Sequence, residues 1–99
     1  MNDSFNNVLN LLIVDDDNTQ LQLIKSYIKH IQYPEIKHLT AATAEEALEI
    51  IENSFIDLVL SDYRLPGKNG LELLEEVKKL NPLIEVVIMT AYEDARQAV

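Results

Sequence analysis

The 99 residues, 47% hydrophobic and 25% charged, describe one soluble globular domain with a modest core and no room for a second. The absence of cysteine excludes disulfides and thiolate metal sites, and apolar runs of about four to six residues fall short of the roughly 20 that span a bilayer. Eight basic against seventeen acidic residues give a net charge of −9, which disfavours nucleic acid or an anionic membrane as a direct partner and suits a cationic ligand or a metal ion.

Residues 1–7, MNDSFNN, read as a loose polar leader; they lack the basic flank and apolar stretch of a signal peptide, so the expected compartment is the cytoplasm. Leu9 to Val14 is then an apolar run that predicts a buried parallel strand. Leu21, Ile24, Ile28 and Ile31 follow at helical spacing. Ile36 to Leu39 predicts a second strand, and Ala44, Ala47, Leu48 and Ile51 form the stripe of a second helix. Leu58 to Leu60 predicts a third strand, Leu73, Leu74, Val77 and Leu80 a third helix, and Ile84 to Met89 a fourth strand leading into a last helix. Thr43 with Glu46, Asn69 with Glu72 and Thr90 with Glu93 have capping-box spacing, and Lys78 and Lys79 ahead of Asn81 and Pro82 suit a helix C-terminus. Strict β-α alternation implies a doubly wound parallel sheet with helices on both faces.

Ligands of such sheets bind beyond the carboxyl ends of the strands, so the residues after each strand carry the functional signal. The first strand runs into Asp15, Asp16 and Asp17, the third into Ser61 and Asp62, and the fourth into Thr90 and Ala91; the second ends without charge in Thr40, Ala41 and Ala42. Clustered carboxylates without nearby His or Cys favour a hard cation, and Mg²⁺ with one or two carboxylates leaves room for phosphate oxygens. A carboxylate beside such an ion can act as a nucleophile toward phosphorus, and Asp62 is the candidate. Structural roles stand beside these: Asp16, Asp17 or Asn18 can cap the first helix, Thr90 can cap the last, and Asp62 can begin a turn with Pro66, Gly67, Asn69 and Gly70.

The segments LLIVDDDNTQ, DLVLSDYRLPGKNGLELL and VVIMTAYED, in this order, resemble the three signatures of the receiver domain of bacterial two-component response regulators. The resemblance covers nearly the whole chain, and MTAYEDARQAV leans toward receivers joined to activators of the nitrogen-regulator type. It implies a flavodoxin-like sheet, here of order 2-1-3-4. It further implies Asp62 as phosphoacceptor, Asp16 and Asp62 as direct Mg²⁺ ligands, Asp15 acting mostly through water, and the backbone carbonyl of Arg64 as another ligand. Thr90 would hydrogen-bond the phosphoryl group, with the backbone N–H of Ala91 beside it, and Asp17, without a matched role, is expected to cap the helix or face solvent. The implied donor is a phosphohistidine on a sensor histidine kinase, or a small acyl phosphate. The implied chemistry is at most Mg²⁺-dependent self-phosphorylation and autodephosphorylation. His30, expected late in the first helix, and His38, in a strand, are expected to be structural or surface residues.

The family pattern continues through a fifth strand bearing a phosphate-pairing lysine and through a last helix. Residues 8–99 are therefore expected to form a receiver lacking its last βα unit, as a fragment of a longer protein or as a short gene product. Lys68, Lys78 and Lys79 belong to the loop and helix after the third strand and do not replace that lysine. Its loss is expected to weaken phosphoryl transfer. An uncovered fourth strand is expected to favour a homodimer, by edge pairing or domain exchange. The alternative to phosphoacceptor signalling is a receiver-shaped interaction module that is never phosphorylated; a Mg²⁺-dependent phosphohydrolase is more distant, since no general acid or substrate pocket is evident.

Overall fold

A computed structural model describes residues 7–90. In chain order these form β1 (Val8–Val14), α1 (Asn18–Ile28), β2 (Glu35–Ala41), α2 (Ala44–Asn53), β3 (Leu58–Asp62), α3 (Gly70–Leu80) and β4 (Glu85–Met89). All pairings are parallel, in the order β2-β1-β3-β4, the α/β flavodoxin-like arrangement expected from strict alternation. The expected fourth helix, its Thr90–Glu93 capping box and most of the polar leader lie outside the described residues.

Alternation along β1 divides the interior into two layers. Leu12 and Val14 join Val59, Ala44, Ala47, Ile51, Leu73 and Val77 beneath α2 and α3, whereas Leu11 and Ile13 join Ile24 of α1, flanked by Leu58, Leu60 and Met89. At the amino end of the sheet Asp57 clamps β1 to β3. Its carboxylate accepts from the backbone N–H of Asn10 at 2.8 Å and from the Asn10 side-chain amide at 3.0 Å, and its own N–H donates to the Asn10 carbonyl at 2.8 Å.

The helix starts follow the side chains available. Asn69 and Glu72 complete a reciprocal capping box on α3, each side chain accepting from the other's backbone N–H. At α2 the Thr43 hydroxyl accepts from the Glu46 N–H at 3.1 Å, but the Glu46 carboxylate accepts from the Ala42 N–H at 2.7 Å, so the box closes one residue further upstream.

Two expectations need correction. The α1 stripe includes Ile31, but the helix ends at Ile28. His30 and Ile31 leave it through backbone bonds to Tyr27 and Ile28, and Pro34 ahead biases Tyr33 to an extended conformation. Ile31 is therefore 46% exposed, and His30 follows the helix rather than lying in it. Secondly, β2 is not buried on both faces: at the sheet edge where the order 2-1-3-4 puts it, it pairs with β1 alone among the described residues, and Leu39 is 46% exposed.

Two leucines of α3 separated by Glu72 test the layer assignment. Leu73 is fully buried and Leu71 is 52% exposed. Leu73→Ala is expected to cost about 2–5 kcal/mol in urea unfolding. Leu71→Ala is expected to stay within about 0.5 kcal/mol.

Candidate functional site

Val14 lies opposite Ser61 in the β1–β3 ladder, so the next residue on each strand, Asp15 and Asp62, arrive side by side at the carboxyl end of the sheet. Both belong to the alternation that faces the α1 layer, in step with Ile13 and Leu60. Asp16 follows at the exposed head of the loop. One carboxylate oxygen from each of Asp15, Asp16 and Asp62 lies within 4.8 Å of the others.

The three consecutive aspartates have separate surroundings. Asp17 is the N-cap of α1, its carboxylate accepting from the backbone N–H groups of Thr19 at 2.9 Å and Gln20 at 3.3 Å. Asp15 is 1% exposed and accepts from the Asp17 N–H at 2.9 Å. Burial pushes the Asp15 carboxyl above the usual carboxylate range; the hydrogen bond from Asp17 opposes this, and the negative charges of Asp62, Asp17 and Asp16 add to it.

The β3–β4 register sets Asp62 opposite Met89 and so brings Thr90 to the same rim. A cavity of about 360 Å³ opens there, lined by Asp15, Asp17, Gln20, Asp62, Met89 and Thr90. Gln20 and Met89 were not legible as site residues. Met89 has the character of a core residue, and Gln20 lies in the first turn of α1, where its backbone N–H donates to the Asp17 cap. Arg64 sits exposed two residues beyond Asp62, and Ala91 lies outside the described residues.

The loop after Asp62 is tied down at both ends. The Tyr63 N–H donates to the Met89 carbonyl at 2.9 Å, and the Gly70 N–H donates to the Tyr63 carbonyl at 2.8 Å. Between them Gly67 takes φ = 79°, the left-handed region that favours glycine. Lys68 pairs with Glu76 and joins the loop to α3. Gly70 packs so closely that a Cβ there would lie 2.7 Å from the Asp62 carbonyl oxygen, a backbone atom with little freedom to move.

The chemistry of the donors fits a hard divalent cation. Three carboxylates converge without any histidine or cysteine, one of them buried against its own solvation preference, and a positive charge at that point would relieve both the repulsion and the burial.

Comparison with known proteins agrees with this geometry. Residues 11–99 match the family model described as the response regulator receiver domain. The chain is 39% identical over 84 residues to the transcriptional regulatory protein MalR of Bacillus subtilis, covering 85% of this chain and 35% of MalR. It is 42% identical over 64 residues to the DNA-binding transcriptional regulator NtrC of Escherichia coli, covering 62% of this chain and 14% of NtrC, which is compatible with the nitrogen-regulator lean of its last motif. The crystal structure of a response regulator receiver domain protein from Clostridium thermocellum superposes with a TM-score of 0.76 at 34% identity, over 91% of this chain and 71% of that one. The chain belongs to the receiver domain family of two-component response regulators. It spans about a third or less of the length of these curated relatives. Receiver domains generally bind Mg²⁺ at an acidic pocket and are generally phosphorylated by sensor histidine kinases. Among the described residues no helix is long and apolar enough to cross a membrane.

Two measurements test the site. Because the folded-state pKa of Asp15 lies above its unfolded value, its contribution to stability is fully present below the unfolded pKa and is lost as pH rises through the folded pKa. Without divalent metal, Asp15→Asn should therefore match the wild type in acid and become the more stable of the two toward neutral pH; a wild type that remains the more stable at pH 7 contradicts the burial argument. Gly70→Ala should destabilise the fold by about 1–3 kcal/mol in chemical denaturation, through the clash with the Asp62 backbone.

Proposed function

We propose that this chain is a phosphoacceptor whose Asp62 takes a phosphoryl group from a phosphohistidine of a sensor histidine kinase or from a small acyl phosphate. The observation that supports it most directly is the convergence of Asp15, Asp16 and Asp62 within 4.8 Å at the rim of a parallel sheet, the position where such sheets bind ligands. An Asp62 carboxylate oxygen attacks phosphorus and forms the new P–O bond. The donor's P–N bond breaks and the imidazole leaves, or, with an acyl phosphate, the P–O bond to the acyl group breaks and a carboxylate leaves.

Asp16 and Asp62 would hold Mg²⁺ directly, with Asp15 acting through water and the Arg64 carbonyl as a further ligand. When bound, the ion supplies positive charge that offsets the repulsion between Asp62 and the incoming phosphoryl oxygens. The clamps of Tyr63 on Met89 and of Gly70 on Tyr63 hold Asp62 in place, so little reorganisation is needed at the moment of transfer. Thr90, lining the same cavity, would donate its hydroxyl to the phosphoryl group, with the Ala91 N–H beside it. Formation of that hydrogen bond would draw on the end of β4 and so carry the modification to the surrounding surface. A cytoplasmic location accords with this role.

Incubation with Mg²⁺ and an acyl phosphate should give an acid-stable, base-labile phosphoryl adduct that is lost in Asp62→Asn and on chelation of the metal. Asp16→Asn should slow labelling by at least the roughly 10–100-fold that loss of an outer-shell partner of a metal site costs. Undiminished labelling of Asp62→Asn would place the phosphoryl group elsewhere and end the assignment.

A further inference from the structure

The cations of this acidic chain are unevenly spread. Lys68 pairs with Glu76, and the Lys78 ammonium donates to the carbonyls of Ile84 at 2.6 Å and Pro82 at 3.3 Å. Lys25 and Lys29 instead stand together at the end of α1, and, like Lys37 and Lys79 elsewhere on the surface, neither has an ion-pair partner among the described residues, although acids outnumber bases by more than two to one. Lys25 and Lys29 stand on the last turn and C-cap of α1, while Lys37 and the exposed His38 are on the edge strand β2.

Between these two elements runs a groove of about 580 Å³. Ile28, Ile31 and Ile36 give it an apolar surface, and Lys25, Lys29 and His38 line it alongside them. Glu35 is its one carboxylate. The helix dipole accounts for lysines at the end of α1, and protection of an open edge accounts for Lys37. Neither requires an apolar trough between them, nor an isoleucine left 46% exposed within it.

We propose that this trough docks an acidic amphipathic helix of a partner protein, with aliphatic side chains against Ile28, Ile31 and Ile36 and carboxylates toward Lys25 and Lys29. An amphipathic helix in an apolar groove presents anchors at i, i+3, i+4 and i+7 and leaves its flanks for charge pairing. Nucleic acid or an anionic membrane suits the trough less. The chain as a whole carries −9, which repels an extended polyanion, and the isoleucine floor between the lysines calls for apolar side chains that a phosphate backbone does not present. A short helix, by contrast, brings a few carboxylates to a few lysines. Asp17, beside the acidic rim, opens α1, whereas the trough lies at its far end, about 16 Å away along an 11-residue helix. The partner can therefore bind without covering Asp62, and the docking is independent of the phosphoacceptor reading.

The test uses a synthetic amphipathic peptide with leucine on one helical face and glutamate on the other, and a counterpart with lysine in place of glutamate. In an NMR titration of the wild-type chain at low ionic strength, the acidic peptide should give saturable amide shifts confined to residues 22–38, and the basic one none. Lys25→Gln/Lys29→Gln should weaken binding by about tenfold or more, and Lys25→Glu/Lys29→Glu by more, with thermal unfolding still cooperative and lowered only slightly by loss of the favourable charge at the end of α1. The proposal is overturned by the absence of saturable shifts, by shifts mapping elsewhere, or by an affinity indifferent to both lysine pairs. Equal shifts from anionic lipid vesicles or duplex DNA would assign the trough to a polyanion. Concentration-dependent shifts of the same residues without peptide would assign it to a second copy of the chain.

Discussion

Asn10 and Asp57 lock β1 to β3 at the end of the sheet remote from the acidic rim, through bonds of 2.8 to 3.0 Å to backbone and side chain. From that clamp the ladder runs without interruption to Val14 opposite Ser61, and the carboxylates of Asp15 and Asp62 meet just beyond. Side chains on a strand alternate between faces, so a slip of one residue would carry Asp62 to the α2–α3 side and leave Asp15 without it. The relation of the two carboxylates therefore depends on a polar contact at the opposite edge of the domain, together with the apolar pairs between.

Bringing three carboxylates together works against folding. Asp15 is the sharpest case, since it is buried as well as surrounded by negative charge, and the hydrogen bond its carboxylate accepts from the Asp17 N–H only partly compensates. The surrounding fold holds the cluster in place. Leu12, Ile13 and Val14 fill both layers immediately before it, and the loop after Asp62 is held by Tyr63, Gly70 and the Lys68–Glu76 pair. Local destabilisation at a site that binds a cation is expected when the ion, rather than the apo fold, supplies the missing charge.

Much of this was legible in the chain. Periodicity placed all four described strands and three helices within a few residues, because aliphatic runs and helical stripes report burial directly. It failed where burial stops being the deciding factor. Ile31 continues the α1 stripe but lies past the helix end, since three-to-four spacing persists in a tight turn that the approach to Pro34 imposes. The apolar character of Ile36 and Leu39 suggested burial on both faces, whereas the edge position that the order 2-1-3-4 gives β2 leaves Leu39 exposed, because a strand's place in the sheet is not encoded in its own residues. At the site, the chemistry of Asp15, Asp16 and Asp62 could be read from residue type and position after a strand, whereas Gln20 and Met89 could not, because polar and thioether side chains carry no comparable signal.

The division of labour within Asp15, Asp16 and Asp17 shows where the two sources of information part. The sequence by itself determined the alternation of strands and helices, the acidic rim and the family whose signatures these segments resemble, because each rests on local composition and spacing. The absence of a matched role already left Asp17 to cap the helix or face solvent; that Asp15 is buried, that Asp16 is exposed and that Asp17 is the cap was fixed by tertiary structure. It depended on where β1 ends against β2 and β3 and on where α1 begins, and those are properties of neighbouring elements rather than of the three residues themselves.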